Sequence, residues 1–79
     1  MKIEISYFAV LQDERGLSSE IIETTASTPE KIYKELQDEY SFSLDISKLK
    51  VAVNDEFSDW QGELKDGDKI VFIPPVAGG

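Results

Sequence analysis

Three observations predict an α+β fold, a mixed sheet with one main helix packed on one face. Two alternating strands come before any helix, a single amphipathic helix follows them, and the last strand, Lys69-Ile70-Val71-Phe72-Ile73, is apolar on both faces. A strand buried on both sides belongs in the middle of a sheet rather than at its edge. With strands on either side of a crossover helix and the last strand central, the arrangement is a β-grasp roll in which the first and last strands lie parallel and adjacent.

Ile3, Ile5 and Tyr7 alternate with Lys2, Glu4 and Ser6, which predicts a first strand over residues 2 to 8 with one buried face. Asp13-Glu14-Arg15-Gly16 breaks the pattern after Ala9-Val10-Leu11, and the β-branched run Glu20-Ile21-Ile22-Glu23-Thr24-Thr25 resumes it. These two strands are expected to pair as a hairpin across a wide, acidic loop. Ser27-Thr28-Pro29-Glu30 starts a helix in one of two registers: Thr28 caps with Pro29 at the first helical position, or Ser27 caps with Glu30 completing a capping box. Ile32, Tyr33, Leu36 and Tyr40 then share one face of a helix over about 28 to 39, with Lys31, Lys34, Glu35 and Asp38 mostly opposite. Phe42 and Leu44 are expected to complete the core from a loop. Leu49, Val51 and Val53 alternate as a third strand ending at the turn pair Asn54-Asp55, and Phe57 and Trp60 lie in a short edge segment. Lys65-Asp66-Gly67-Asp68 reads as a turn, because Gly67 between the two aspartates supplies a positive φ. That reading outweighs Asp66 and Asp68 as an acid–base or metal-binding pair, and packing is the default role for Trp60.

Composition narrows the chemistry. Seventy-nine residues suit one small domain, 1 to 79, with a modest core. The absence of cysteine and histidine excludes a disulfide framework, a thiolate nucleophile, a zinc finger and a histidine base together. No signal-peptide pattern opens the chain and no apolar run approaches the ~20 residues of a membrane span, so a cytoplasmic protein is expected. Sixteen acidic against eight basic residues give a net charge of −8, which disfavours nucleic acid and anionic membranes and suits a basic protein partner.

The sequence ends Pro74-Pro75-Val76-Ala77-Gly78-Gly79. The prolines stop strand pairing and aim the terminal residues off the sheet, whereas Ala77, Gly78 and Gly79 carry too little side chain to obstruct a narrow channel. A flexible, projecting tail over about 74 to 79 reaches roughly 20 Å when extended. Its terminal carboxylate is an anion at neutral pH and a poor electrophile, so any chemistry at Gly79 requires prior activation. Phosphoryl or adenylyl transfer makes a mixed anhydride that a sulfur donor converts to a thiocarboxylate, or an amine to an amide. Near this tail, Phe8 has the opposite parity to Tyr7, and Ile73 is off the Ile70/Phe72 face. With Phe57 they form an apolar patch for a partner on the open side of the sheet, unless residues 9 to 18 fold over them.

Ile5-Ser6-Tyr7-Phe8-Ala9, Val53-Asn54-Asp55 and, above all, Leu64-Lys65-Asp66-Gly67-Asp68 running on to the Pro-Pro-Val-Ala-Gly-Gly end resemble the small subunit of molybdopterin synthase, a ubiquitin-like sulfur carrier. The resemblance covers essentially the whole chain, with Asp55 standing where a glycine is more usual and residues 41 to 48 hard to align. It implies that Gly79 is adenylated by a ubiquitin-activating-enzyme-like adenylyltransferase that consumes ATP, and that it becomes a thiocarboxylate. The tail, Pro74, Pro75, Val76, Ala77 and Gly78, then carries Gly79 into the large subunit, which holds the catalytic residues and the pyranopterin precursor in a heterotetramer. On this reading the chain is not an enzyme by itself and binds no cofactor or metal, and Phe8, Phe57 and Ile73 match the family's hydrophobic contacts. The thiamin-pathway sulfur carrier, which usually lacks the Pro-Pro step, a ubiquitin-like protein modifier, and an interaction domain with an inert tail are the alternatives.

Overall fold

A computed structural model describes residues 1–75; the predicted carrier residues Val76, Ala77, Gly78 and Gly79 lie outside the described residues. Five strands form one sheet: β1 (Lys2–Tyr7), β2 (Ser19–Glu23), β3 (Lys50–Val53), β4 (Glu56–Ser58) and β5 (Lys69–Ile73), in the order β2-β1-β5-β3-β4. β1 and β5 run parallel, with Ile5 opposite Ile70 and Tyr7 opposite Phe72, and every other pairing is antiparallel. The last strand is central and beside the first, the β-grasp arrangement expected from its two apolar faces.

Helix α2 (Pro29–Tyr40) covers one face of the sheet. Thr28 decides between the two possible starts: its backbone is extended and its hydroxyl accepts a 3.3 Å hydrogen bond from the Lys31 amide, with Pro29 at the first helical position. Ile32, Tyr33 and Leu36 are buried against Ile3, Ile5, Tyr7, Val51, Ile70 and Phe72 from the strands, and Pro29 is buried at the helix start. Phe42 and Leu64 close the core from loops. Trp60 packs rather than binds, stacking on Phe72 at 5.9 Å between ring centroids and meeting the Tyr33 ring edge-on at 6.3 Å.

The wide loop expected between β1 and β2 instead holds a second helix, α1 (Ala9–Arg15). Gly16 ends it in the left-handed conformation at φ 81°, its amide donating to the Gln12 carbonyl at 2.8 Å. A helix of seven residues is marginal alone and depends on tertiary anchors. Here the anchors are the fully buried Leu11 and the Arg15 guanidinium. Arg15 Nε and Nη2 donate to the two carboxylate oxygens of Glu20 on β2 at 2.7 and 2.8 Å, and the guanidinium lies 3.9 Å from the centre of the Tyr40 ring. Tyr7 donates its hydroxyl to the same carboxylate at 2.6 Å. The Arg15 hydrogen bonds hold the Glu20 carboxyl below the usual glutamate range, and burial, followed by the bond to Glu20, pushes the Tyr7 hydroxyl far above its ordinary value.

Two turns hold β5 in register. Asn54 and Asp55 both have positive φ, 52° and 71°, as a two-residue hairpin between β3 and β4 requires. The Asn54 side chain bridges to the next turn: Nδ2 donates to Asp68 Oδ1 at 2.9 Å and Oδ1 accepts from the Lys69 amide at 3.0 Å. Asp68 Oδ2 accepts from the Lys65 amide at 2.8 Å, Asp66 Oδ1 accepts from the Lys2 amide at 2.6 Å, and Gly67 has φ 87°. Both aspartates are therefore committed to backbone amides, as the turn reading expects.

Candidate functional site

The chain leaves the sheet from its centre. β5 ends at Ile73, whose last partner is Lys50 on β3, and the two prolines that come next have no amide hydrogen with which to extend the ladder. Pro74 is buried and Pro75 exposed, so the first proline anchors the root and the second marks the exit.

The sheet face away from α2 is apolar around this root. Phe57 pairs with Ala52, Ala52 with Val71, and Val71 with Ser6, which puts Phe57, Ala52 and Val71 in one row across the open face. Ile73 lies two residues on from Val71 on the same face. Phe8 comes directly after the final β1–β5 pair, Tyr7 with Phe72, and keeps an extended backbone (φ −131°, ψ 154°), so it retains the parity opposite to Tyr7. Phe57 is 76% exposed and Phe8 52%, whereas Ile73 is half-buried. The segment 9–18 thus leaves Phe8 open, since α1 turns inward through Leu11. The three residues proposed for partner contact fall on one face, and Pro74 and Pro75 stand at its end.

Reading the sequence alone missed three features here. Ala52 and Val71 fill the space between Phe57 and Ile73; the parity of Val71 with Ile73 was available, but Ala52 needed the strand register. Ile21, 68% exposed, adds an apolar side chain to the same face on β2. A groove of about 260 Å³ runs beside the root, with Lys48, Leu49 and Lys50 on one wall and Ile73, Pro74 and Pro75 on the other. The 3-10 turn Ile46–Lys48 leads into that first wall, and its cap is Asp45, whose carboxylate accepts from the Ser47 amide at 3.0 Å. That bond holds the Asp45 carboxyl below the usual aspartate range.

The described residues place no group of three or more His, Cys, Asp or Glu where it could hold a metal ion, and none of their helices is long and apolar enough to cross a membrane. What the geometry offers is a root anchored by the buried Pro74 beside an apolar stretch of the open sheet face.

A five-stranded mixed sheet with parallel first and last strands and one covering helix defines a ubiquitin-like β-grasp domain. The model of the ThiS family matches residues 5–79, and the chain belongs to that family. It is 30% identical to the molybdopterin synthase sulfur carrier subunit of Haemophilus influenzae, over 98% of this chain and 99% of the relative. Among solved structures, a putative molybdopterin converting factor subunit 1 from Pyrococcus furiosus is 28% identical with a TM-score of 0.80, covering 96% of this chain and 99% of that one. A chain from the complex of subunits 1 and 2 of the molybdopterin-converting factor of Helicobacter pylori is also 28% identical, with a TM-score of 0.71 and full coverage of both chains. The resemblance to the synthase small subunit therefore extends along the whole chain.

Proposed function

We propose that this chain carries sulfur for molybdenum cofactor biosynthesis as the small subunit of a molybdopterin synthase, with the Gly79 carboxylate as the point of attachment. The carboxylate attacks the α-phosphorus of ATP in a ubiquitin-activating-enzyme-like adenylyltransferase, and pyrophosphate leaves. A sulfide-level nucleophile then displaces AMP from the acyl carbon to leave a thiocarboxylate. Adenylation supplies the leaving group that the carboxylate lacks. Pro74 to Gly78 deliver the sulfur to the pyranopterin precursor in the large subunit, while Phe8, Phe57 and Ile73 dock the folded part outside. In this scheme ATP belongs to the activating enzyme, molybdenum enters downstream of the carrier, and the reactions take place in the cytoplasm.

One observation carries the reading: the central strand β5 ends in the buried Pro74 beside the apolar run of Phe57, Ala52, Val71 and Ile73 on the open face. A carrier needs that combination, because the partner must hold the body and receive the tail at once.

The test is the intact mass of the chain after co-expression with the adenylyltransferase and a sulfurtransferase, followed by mapping of the C-terminal peptide. Exchange of one oxygen for one sulfur at Gly79 is expected; an unmodified Gly79 beside a carrier that charges normally refutes the scheme. Conjugates on a denaturing gel would instead point to a protein modifier. Phe57→Ser tests the docking face: its melting temperature stays unchanged, since the side chain is 76% exposed, while binding to the large subunit weakens about tenfold.

A further inference from the structure

The groove beside the tail root has a charge opposite to that of the whole chain. Only two of its lining residues are charged and both are lysines, Lys48 and Lys50, in a chain of net charge −8. Both are exposed, and neither forms a salt bridge among the described residues. Lys69 differs in its neighbour, since it sits opposite the acidic Glu4 in the β1–β5 register. Lys50 is opposite Ile73. Asp45, the acid that feels Lys48, has an oxygen already committed to the Ser47 amide at 3.0 Å.

We infer that this groove receives an acidic segment of the tail-accepting protein, one that presents an aliphatic or aromatic side chain flanked by Asp or Glu. The apolar side chain lies against Leu49, Ile73 and Pro74, and the two ammonium groups take the carboxylates on either side. The inference rests on the reading under Proposed function, since a protein that accepts Gly79 must come up against the root from which the tail leaves. It adds a local acidic contact to the basic partner that the net charge suits. The acidic body repels carboxylates elsewhere on the chain, so an acidic segment is accepted only at the root, and the charge pattern fixes the register of docking.

The experiment measures binding of the full chain to the purified large subunit by calorimetry, at low and at physiological salt. Lys48→Glu with Lys50→Glu is expected to raise Kd about tenfold or more, most strongly at low salt, with an unchanged melting temperature. Lys48→Arg with Lys50→Arg stays within about twofold of wild type, because charge is kept. Lys31→Glu with Lys34→Glu on α2 makes the same change in net charge away from the root and is also expected within about twofold. Wild-type affinity in the Lys48/Lys50 reversal overturns the inference, as does an equal loss in the α2 variant. Should the reversal fail to fold, Lys48→Gln with Lys50→Gln carries the same test. A wild-type chain that does not bind the large subunit refutes the functional reading together with the groove, whereas charging of Gly79 is scored independently by mass.

Discussion

Replacing Glu20 by Gln removes the charge on which three hydrogen bonds converge while keeping an oxygen for the Tyr7 hydroxyl. The side chains of Arg15 and Glu20 are 20% and 15% exposed, so water screens their paired bonds of 2.7 and 2.8 Å far less than it does an open surface pair. Charge-assisted bonds of this kind contribute about 1.5–3 kcal/mol; with the Arg15 guanidinium still stacked on Tyr40 and reaching solvent, a loss of about 1–2 kcal/mol is expected. In a domain of this size that is a fall of roughly 5–15 °C in melting temperature. The pH dependence stems from the lowered Glu20 pKa. A carboxyl depressed in the folded state stabilises fully above its unfolded pKa of about 4.3, and the contribution disappears as pH falls through the folded value. Urea unfolding of wild type and Glu20→Gln should therefore differ at neutral pH and converge as the solution is acidified below about pH 4. Hydrogen exchange should show the amides of α1 opening first, since Leu11 would be its main remaining anchor. A gap of the same size at acid and neutral pH would refute the argument, because it would mean that the carboxylate charge is not what holds α1.

Asn54→Ala loses both the side-chain bridge to Asp68 and Lys69 and a residue tolerant of φ 52°, so a cost of about 1–2 kcal/mol in urea is expected. Asn54→Gly, which keeps the backbone conformation and loses only the bridge, should cost about half as much. Burial raises all three tyrosine hydroxyls, Tyr33 to about 12, so near pH 11 the native chain should show less tyrosinate absorbance than the chain in urea. Because these pKa values are raised by folding, their contribution is complete below about pH 10 and is lost as pH rises through the folded values; full tyrosinate absorbance without unfolding would contradict the burial.

The parts of this fold legible in the sequence are those set by local periodicity. The alternation of Ile3, Ile5 and Tyr7, the apolar stripe of α2 and the two-sided β5 each state their own environment, and a two-sided strand also states its place in the sheet. α1 was not legible because its periodic pattern contributes one buried residue, Leu11, and its other anchors, Glu20 and Tyr40, are distant in sequence. Gly16 directly after Ala9-Val10-Leu11-Gln12-Asp13-Glu14-Arg15 was the available signal, a glycine cap with a basic residue in the last turn before it. The competing helix starts at Ser27 and Thr28 were equivalent in side-chain chemistry, and only the backbone turn at Thr28 separates them. At the candidate site, parity sufficed for Phe8 and Ile73, whereas the groove had no local signature. Lys48 and Lys50 meet Pro74 and Pro75 only because β3 pairs with β5, a contact between segments more than twenty positions apart.

The central position of β5 has a mechanical consequence. Strands on both sides grip it, so tension applied along the axis of β5 loads the ladders to β1 and β3 together in shear. An edge strand under the same pull would have one ladder instead of two to resist it. A partner drawing on the end of this chain therefore pulls against the whole sheet, and the domain transmits that force as one body instead of unravelling from the end being handled.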